Sequence, residues 1–192
     1  GWTTILTGVW TDKHHVTENT FSGYDFTNYP HLFQRLKEYN PSAYLSSIVE
    51  WSAVDTYLVS PVNAYTSFRQ IAMDSTTTNL VSRAIDHLIT ADSDVLFLHF
   101  HVVDETGHSS GFSPSNPDYL AAIAQVDAGV GSLLEALPAR PNYTNESWLI
   151  LAVSDHGGTG TGHGGQSEAE RTVFVIASGG DVPERFVVPG PG

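Results

Sequence analysis

Asp155 and His156 stand side by side at the end of an apolar run, Trp148-Leu-Ile-Leu-Ala-Val-Ser-Asp-His-Gly-Gly158. A second run, Val95-Leu-Phe-Leu-His-Phe-His-Val-Val103, leads into Asp104-Glu-Thr-Gly-His108, and His163 follows the glycine-rich Gly157-Gly-Thr-Gly-Thr-Gly162. Carboxylate oxygen and imidazole nitrogen are the donors that hold zinc and similar ions. Asp104 and His108 are four apart across a glycine-containing turn, close enough to share one ion. Asp155 and His156 can turn to one point in a loop, and the glycine loop can fold His163 back over both. Two ions roughly 4 Å apart can clamp a phosphoryl centre, one acidifying the nucleophile and the other stabilising the leaving or equatorial oxygens. The set therefore points to a two-metal hydrolytic site on an α/β sheet.

Each piece alone has an ordinary explanation. One Asp-His pair at a strand end is more often a hydrogen-bonded loop pair, and His163 alone is a loop histidine. The joint occurrence of both pairs with His163 favours the metal site. His99 and His101 alternate on one strand face and are read as satisfied core or supporting groups. His14, His15, His31 and His87 lack carboxylates at a useful spacing and are read as surface residues.

The elements that must carry these residues alternate along the chain. A helix is predicted from Asn28-Tyr-Pro30, with Leu32, Phe33 and Leu36 as its inner face and Asn40-Pro41 as its stop. Ala43 to Val49 reads as a strand, and Trp51 to Thr77 as loop with a short strand near Tyr57. Leu80, Val81, Ala84, Ile85, Leu88 and Ile89 have helical spacing. After the strand ending at Val103, Ser115-Asn-Pro-Asp118 opens a helix whose predicted apolar face is Leu120, Ile123, Val126, Val130, Leu133 and Leu137. Pro138 to Pro141 ends it, the strand through Val153 follows, and Thr172 to Ala177 makes a last strand. Strand, helix, strand in that order implies parallel strands joined by a right-handed crossover, with both ligand pairs at carboxyl ends, where open α/β sheets bind ligands.

The 192 residues suit a single domain, residues 1–192, and 41% hydrophobic against 15% charged argues for a folded core. Cysteine is absent, so any metal is held by oxygen and nitrogen, and the compartment is left open. Asp+Glu at 21 against Lys+Arg at 8 gives a net charge of −13, without the basic stripes that tracking a nucleic acid requires. An acidic protein can act on a small phosphorylated substrate when bound cations supply local positive charge. No apolar run approaches the length of a membrane span, and no signal-peptide pattern opens the chain. Asn142-Tyr-Thr144 and Asn145-Glu-Ser147 are sequons, expected to carry glycan in a eukaryotic secretory protein.

Four stretches together resemble the alkaline phosphatase superfamily, nearest to its nucleotide pyrophosphatase/phosphodiesterase-like branch. They are Thr4-Ile-Leu-Thr-Gly8 with Val9-Trp-Thr-Asp-Lys-His14, Val103-Asp-Glu-Thr-Gly-His108, Ser154-Asp-His-Gly157, and Gly162-His-Gly164 running into Arg171-Thr-Val-Phe-Val-Ile-Ala-Ser-Gly179. The resemblance implies an α/β core with a mostly parallel sheet flanked by helices. It implies two divalent cations, Zn2+ with Mn2+ as the alternative. Asp104, His108 and His163 would take one cation and Asp155 and His156 the other. It implies hydrolysis of phosphate diesters or pyrophosphates through a Ser or Thr nucleophile. The family's nucleophile precedes the glycine of the Thr-Gly pair by ten positions, three residues upstream of Gly1. The expectation is therefore of an incomplete core, lacking the first strand, its aspartate and the nucleophile, and inactive or nearly so alone. Thr3 and Thr4 fall in the helix after the nucleophile and are not substitutes.

The same register puts Asn19 where the family has an asparagine whose amide binds a non-bridging phosphoryl oxygen; a turn asparagine is the equal alternative. Thr11 stands where the family often has proline. His15 stands where it usually has glycine, and histidine takes positive φ less readily. Within the superfamily, a sulfatase would need a modified Cys or Ser upstream, and a phosphomutase a capping domain. A non-catalytic metal-binding module is the remaining alternative.

Overall fold

Every residue of Leu45–Val49 is buried, and a strand covered on both faces must satisfy its backbone polar groups through partners on both edges. The sheet is arranged around that requirement. In the computed structural model, which describes residues 1–73, 77–180 and 182–184, two short helices, Trp2–Thr7 (α1) and Thr11–His14 (α2), precede Leu32–Tyr39 (α3) and this strand, β1. His31 starts α3: its Nδ1 accepts the Phe33 N–H at 3.0 Å, which seats Phe33 against Ala43 and Leu45. The chain continues through Ser52–Val54 (α4), a π-helical turn at Asp55–Val59 and a 3-10 stretch at Ser60–Tyr65 into Phe68–Ile71 (β2). Thr78–Thr90 (α5) leads on to Val95–His99 (β3). Both β2 and β3 pair with β1 in parallel, giving the order β2-β1-β3.

Val102–Ser110 (α6) follows β3, and Pro117–Ala136 (α7) packs along α5 and α6. Asn116 caps α7 by accepting the Asp118 N–H at 3.1 Å. Ile150–Val153 (β4), Glu168–Arg171 (α8) and Val175–Ser178 (β5) complete the order, with β4 and β5 paired antiparallel. The α/β class is as expected: a parallel sheet flanked by helices.

Several local expectations are corrected. Tyr57 lies in the π-helical turn, and the strand of that segment is β2, eleven residues on; positions 74–76 lie outside the described residues. β3 stops at His99, because the apolar pair Val102-Val103 opens a helix rather than extending the strand. On α7, Leu120 and Ile123 are exposed, while Ala122, Gly129 and Leu133 are buried. Small residues win that face because α5 comes close: a Cβ on Gly129 would meet Val81 Cγ2 at 2.8 Å. The parallel pairing expected of β3 and β4 is not made, since β4 satisfies its backbone against β5. On this ribbon Leu149, Leu151, Val175 and Ile176 are exposed. Pro117–Ala139 is, by length and composition alone, apolar enough to cross a membrane, contrary to the expectation that no run approaches that length. Asn142 and Asn145 are exposed.

His14, His31 and His87 are buried, not on the surface. Each has a ring nitrogen in a hydrogen bond. His14 Nδ1 accepts the Val16 N–H at 3.1 Å, so its Nε2 carries the proton donated to Thr4 Oγ1 at 2.9 Å. His87 Nε2 lies 2.8 Å from Ser46 Oγ and 3.0 Å from Ser93 Oγ.

Arg140 ties the two halves. It is 5% exposed and donates to the carbonyls of Leu88 at 2.7 Å and Ala91 at 3.2 Å, and bidentately to Glu146 at 2.8 Å on each arm. These bonds satisfy the open end of α5 and join it to the connection between α7 and β4. Arg140→Met is expected to lower unfolding stability by about 3 kcal/mol, read from urea titration, with Arg140→Lys recovering only part because its ammonium cannot make the planar fork. An unchanged midpoint in both variants would refute this role.

Candidate metal centre

α6 does what the expected turn would have done, and more rigidly. Residues four apart on a helix lie on one face, so Asp104 and His108 project together, with the Asp104 Oδ2 to His108 Nε2 distance at 3.6 Å. The helix is anchored at its start by Glu50, whose carboxylate accepts the His101 N–H at 2.6 Å. The second pair leaves β4 into a loop pinned by α8. Gly157 donates to the Glu170 carbonyl at 2.9 Å, and a Cβ there would overlap the carbonyl oxygen of Ala169, so only glycine fits. Ser167 and Glu170 cap α8 reciprocally, and Glu170 also accepts the Gly165 N–H at 2.7 Å, holding the stretch after His163.

Asp104 is the centre of the cluster. Its Oδ1 lies 3.4 Å from His163 Nε2 and 3.9 Å from His156 Nε2. His108 Nε2 and His163 Nε2 are 3.1 Å apart, Asp155 Oδ2 is 3.6 Å from His156 Nε2, and the rings of His156 and His163 stack at 3.7 Å. The tautomers follow from the outer contacts. His108 Nδ1 faces the Thr161 carbonyl at 2.9 Å and His156 Nδ1 the Gly157 carbonyl at 2.8 Å. A carbonyl only accepts, so each Nδ1 carries the proton and each Nε2 turns a lone pair inward. Among the described residues, the buried Asp104 Oδ1 has no hydrogen-bond partner. An orphaned carboxylate oxygen among converging imidazole lone pairs fits a divalent cation. Burial, with His156 beside it, lowers the His163 pKa, and burial raises that of Asp155. Both groups are biased towards their neutral forms.

Asp104, His108, Asp155, His156 and His163 line one cavity of about 590 Å³, and Asn19 lies on its wall. The ligand atoms of Asp104, His156 and His163 all lie within 4.8 Å of one another. Asp155 adjoins this triad through His156, and His108 through Asp104 and His163. His15 takes φ 63°, the left-handed conformation a glycine would adopt there, so the substitution leaves that turn in place.

Sequence reasoning missed the aromatic wall. Trp2, Phe21 and Trp51 line the cavity, with Trp51 stacked on His101 at 5.9 Å and 8°. Trp51 fell in a segment read as loop, and no spacing marks an aromatic as facing a cavity. His99 is buried but not satisfied, because its Nδ1 has no hydrogen-bond partner among the described residues; burial lowers its pKa to about 3, so it stays neutral.

A family model described as type I phosphodiesterase / nucleotide pyrophosphatase matches residues 24–171. Human GPI ethanolamine phosphate transferase 3, catalytic subunit, is 32% identical over 107 residues, 55% of this chain and 9% of that protein. GPI ethanolamine phosphate transferase 1 of Chaetomium globosum is 30% identical over 110 residues, 57% of this chain and 12% of that protein. The chain thus spans about a tenth of the length of these relatives. Among solved structures, murine ectonucleotide pyrophosphatase/phosphodiesterase 5, an inactive form in complex with AMP, superposes with a TM-score of 0.55 at 18% identity, covering 80% of this chain and 44% of that one. That likeness is one of fold.

His163→Ala is expected to weaken divalent-metal binding by at least about tenfold, measured as metal retained per chain after gel filtration. Uptake should fall as pH drops, because a ligating imidazole must be unprotonated. With its pKa lowered, His163 stays available below the ordinary histidine value. Retention that is unchanged in the variant would remove His163 from the centre.

Proposed function

The chain belongs to the type I phosphodiesterase / nucleotide pyrophosphatase family, and from that premise we propose that it is the metal-binding part of an enzyme that cleaves phosphate diesters or pyrophosphates. The observation that carries the reading is the unpaired Asp104 Oδ1 with the Nε2 atoms of His156 and His163 turned towards it. Asp104, His108 and His163 would hold one divalent cation and Asp155 and His156 a second, Zn2+ by donor type with Mn2+ the alternative. Bound cations neutralise phosphoryl oxygens and acidify an attacking hydroxyl, which a chain of net charge −13 needs if it is to accept an anion.

The chain's own groups do the rest. Asn19, on the cavity wall, would donate its amide N–H to a non-bridging oxygen, where negative charge grows during transfer. Trp51, backed by His101, would cover the ester group beyond the phosphorus and keep water from it. The attacking group in this reading is a Ser or Thr hydroxyl, and Gly1 lies against Asp155 on the wall of the same cavity.

Transfer in place of hydrolysis is a second reading, favoured by curated relatives described as GPI ethanolamine phosphate transferases. The same residues would then pass the phosphoryl group to an alcohol rather than to water. In the full-length protein, cleavage of bis-p-nitrophenyl phosphate should stop in chelator and return with Zn2+ or Mn2+. Product partition between water and an added alcohol separates hydrolysis from transfer. Turnover that resists chelation, or is confined to sulfate esters, would overturn the proposal.

A further inference from the structure

We infer that Phe112 is the positioning residue that holds the three ligand-bearing segments in register, an inference that rests on the metal-centre reading. Its ring is wedged between two glycines on different segments. Gly107 precedes His108 on α6, Gly158 comes two residues after His156, and a Cβ at either position would overlap the ring. The same ring meets His108 edge-on at 5.5 Å and 84°, and His163 at 6.0 Å and 88°. Its backbone N–H donates to the Gly160 carbonyl at 2.7 Å, inside the loop that separates His156 from His163. Tyr119 on α7 closes over the ring at 5.6 Å and 67°.

One rigid group thus touches the helix that carries Asp104 and His108, the backbone just beyond His156, and the His163 ring. The Nδ1 bonds of His108 and His156 fix how each ring is turned. They do not fix how far α6 stands from the loop after β4. A flat ring filling the space of two missing side chains sets that distance, and metal affinity depends on ligand spacing. A phenyl group has no lone pair or acidic proton to offer, so Phe112 acts only through the histidines it abuts.

The test is Co2+ titration of the metal-free protein and of Phe112→Leu, Phe112→Tyr and Gly158→Ala, followed by the ligand-field absorption band and by thermal melting of the metal-free forms. Phe112→Leu is expected to weaken Co2+ binding about 10- to 100-fold and to alter the band, while the metal-free melting temperature stays close to the parent's. Phe112→Tyr should restore both affinity and band. Gly158→Ala, which displaces the ring without removing it, should reproduce the loss. Parental affinity and band in both Phe112→Leu and Gly158→Ala would overturn the inference, as would affinity losses that merely track a lowered metal-free melting temperature. Should Phe112→Leu fail to fold, Gly158→Ala decides alone by the same criteria. A parent that takes up no Co2+ overturns the metal-centre reading and this inference with it, whereas normal parental uptake with unaltered variants overturns this inference only.

Discussion

A buried carboxylate oxygen with nothing to bond is costly, and the region around Asp104 is built so that its Oδ1 is one. Everything nearby works to keep it that way. The lone pairs of His108 and His156 are aimed inward because carbonyls of Thr161 and Gly157 hold the opposite nitrogens. The Nε2 lone pairs of His108 and His156 cannot donate to a carboxylate, and Asp104 Oδ1 has no hydrogen-bond partner among the described residues. Such an arrangement is stable when positive charge sits among them. The α8 cap serves the same requirement, since Glu170 holds the stretch just after His163.

Rigidity is distributed unevenly around it. Asp104 and His108 ride on a helix whose first turn is bonded to Glu50, so their spacing is set by backbone geometry. Asp155, His156 and His163 come from loop, and their precision has to be borrowed. The Gly157 contact with Glu170 and the Glu170 bond to Gly165 supply it from one side, and the Phe112 ring from the other. A site on secondary structure needs little support, while a site on a loop needs its neighbours.

Much of this was legible in the residues. A carboxylate and an imidazole at the end of each apolar run, and a histidine after a glycine loop, are local signals that survive any tertiary arrangement. The helices α5 and α7 were equally plain from their period. What failed was what depends on contacts distant in sequence. Val102 and Val103 look like strand until the helix beyond them is seen, because β-branched apolar residues serve in both. His14 and His87 look like surface residues because their polar partners, Thr4 and Ser46, are invisible as pairs in a linear reading. The antiparallel return of β5 onto β4 left no mark that a parallel strand would not also leave. Phe112 could not be found at all, since its role is written in the side chains that Gly107 and Gly158 lack.

The ribbon of β4 and β5 has a bearing on how chains meet one another. With Leu151 63%, Val175 69% and Ile176 60% exposed, it presents an apolar strip on each face, Leu151 with Val175 on one and Ile176 on the other. A net charge of −13 opposes the meeting of two such strips in dilute buffer. Repulsion of that kind reaches only about 10 Å at 0.1 M salt, so brine that leaves the fold untouched should still let the strips find each other and turn a clear solution cloudy.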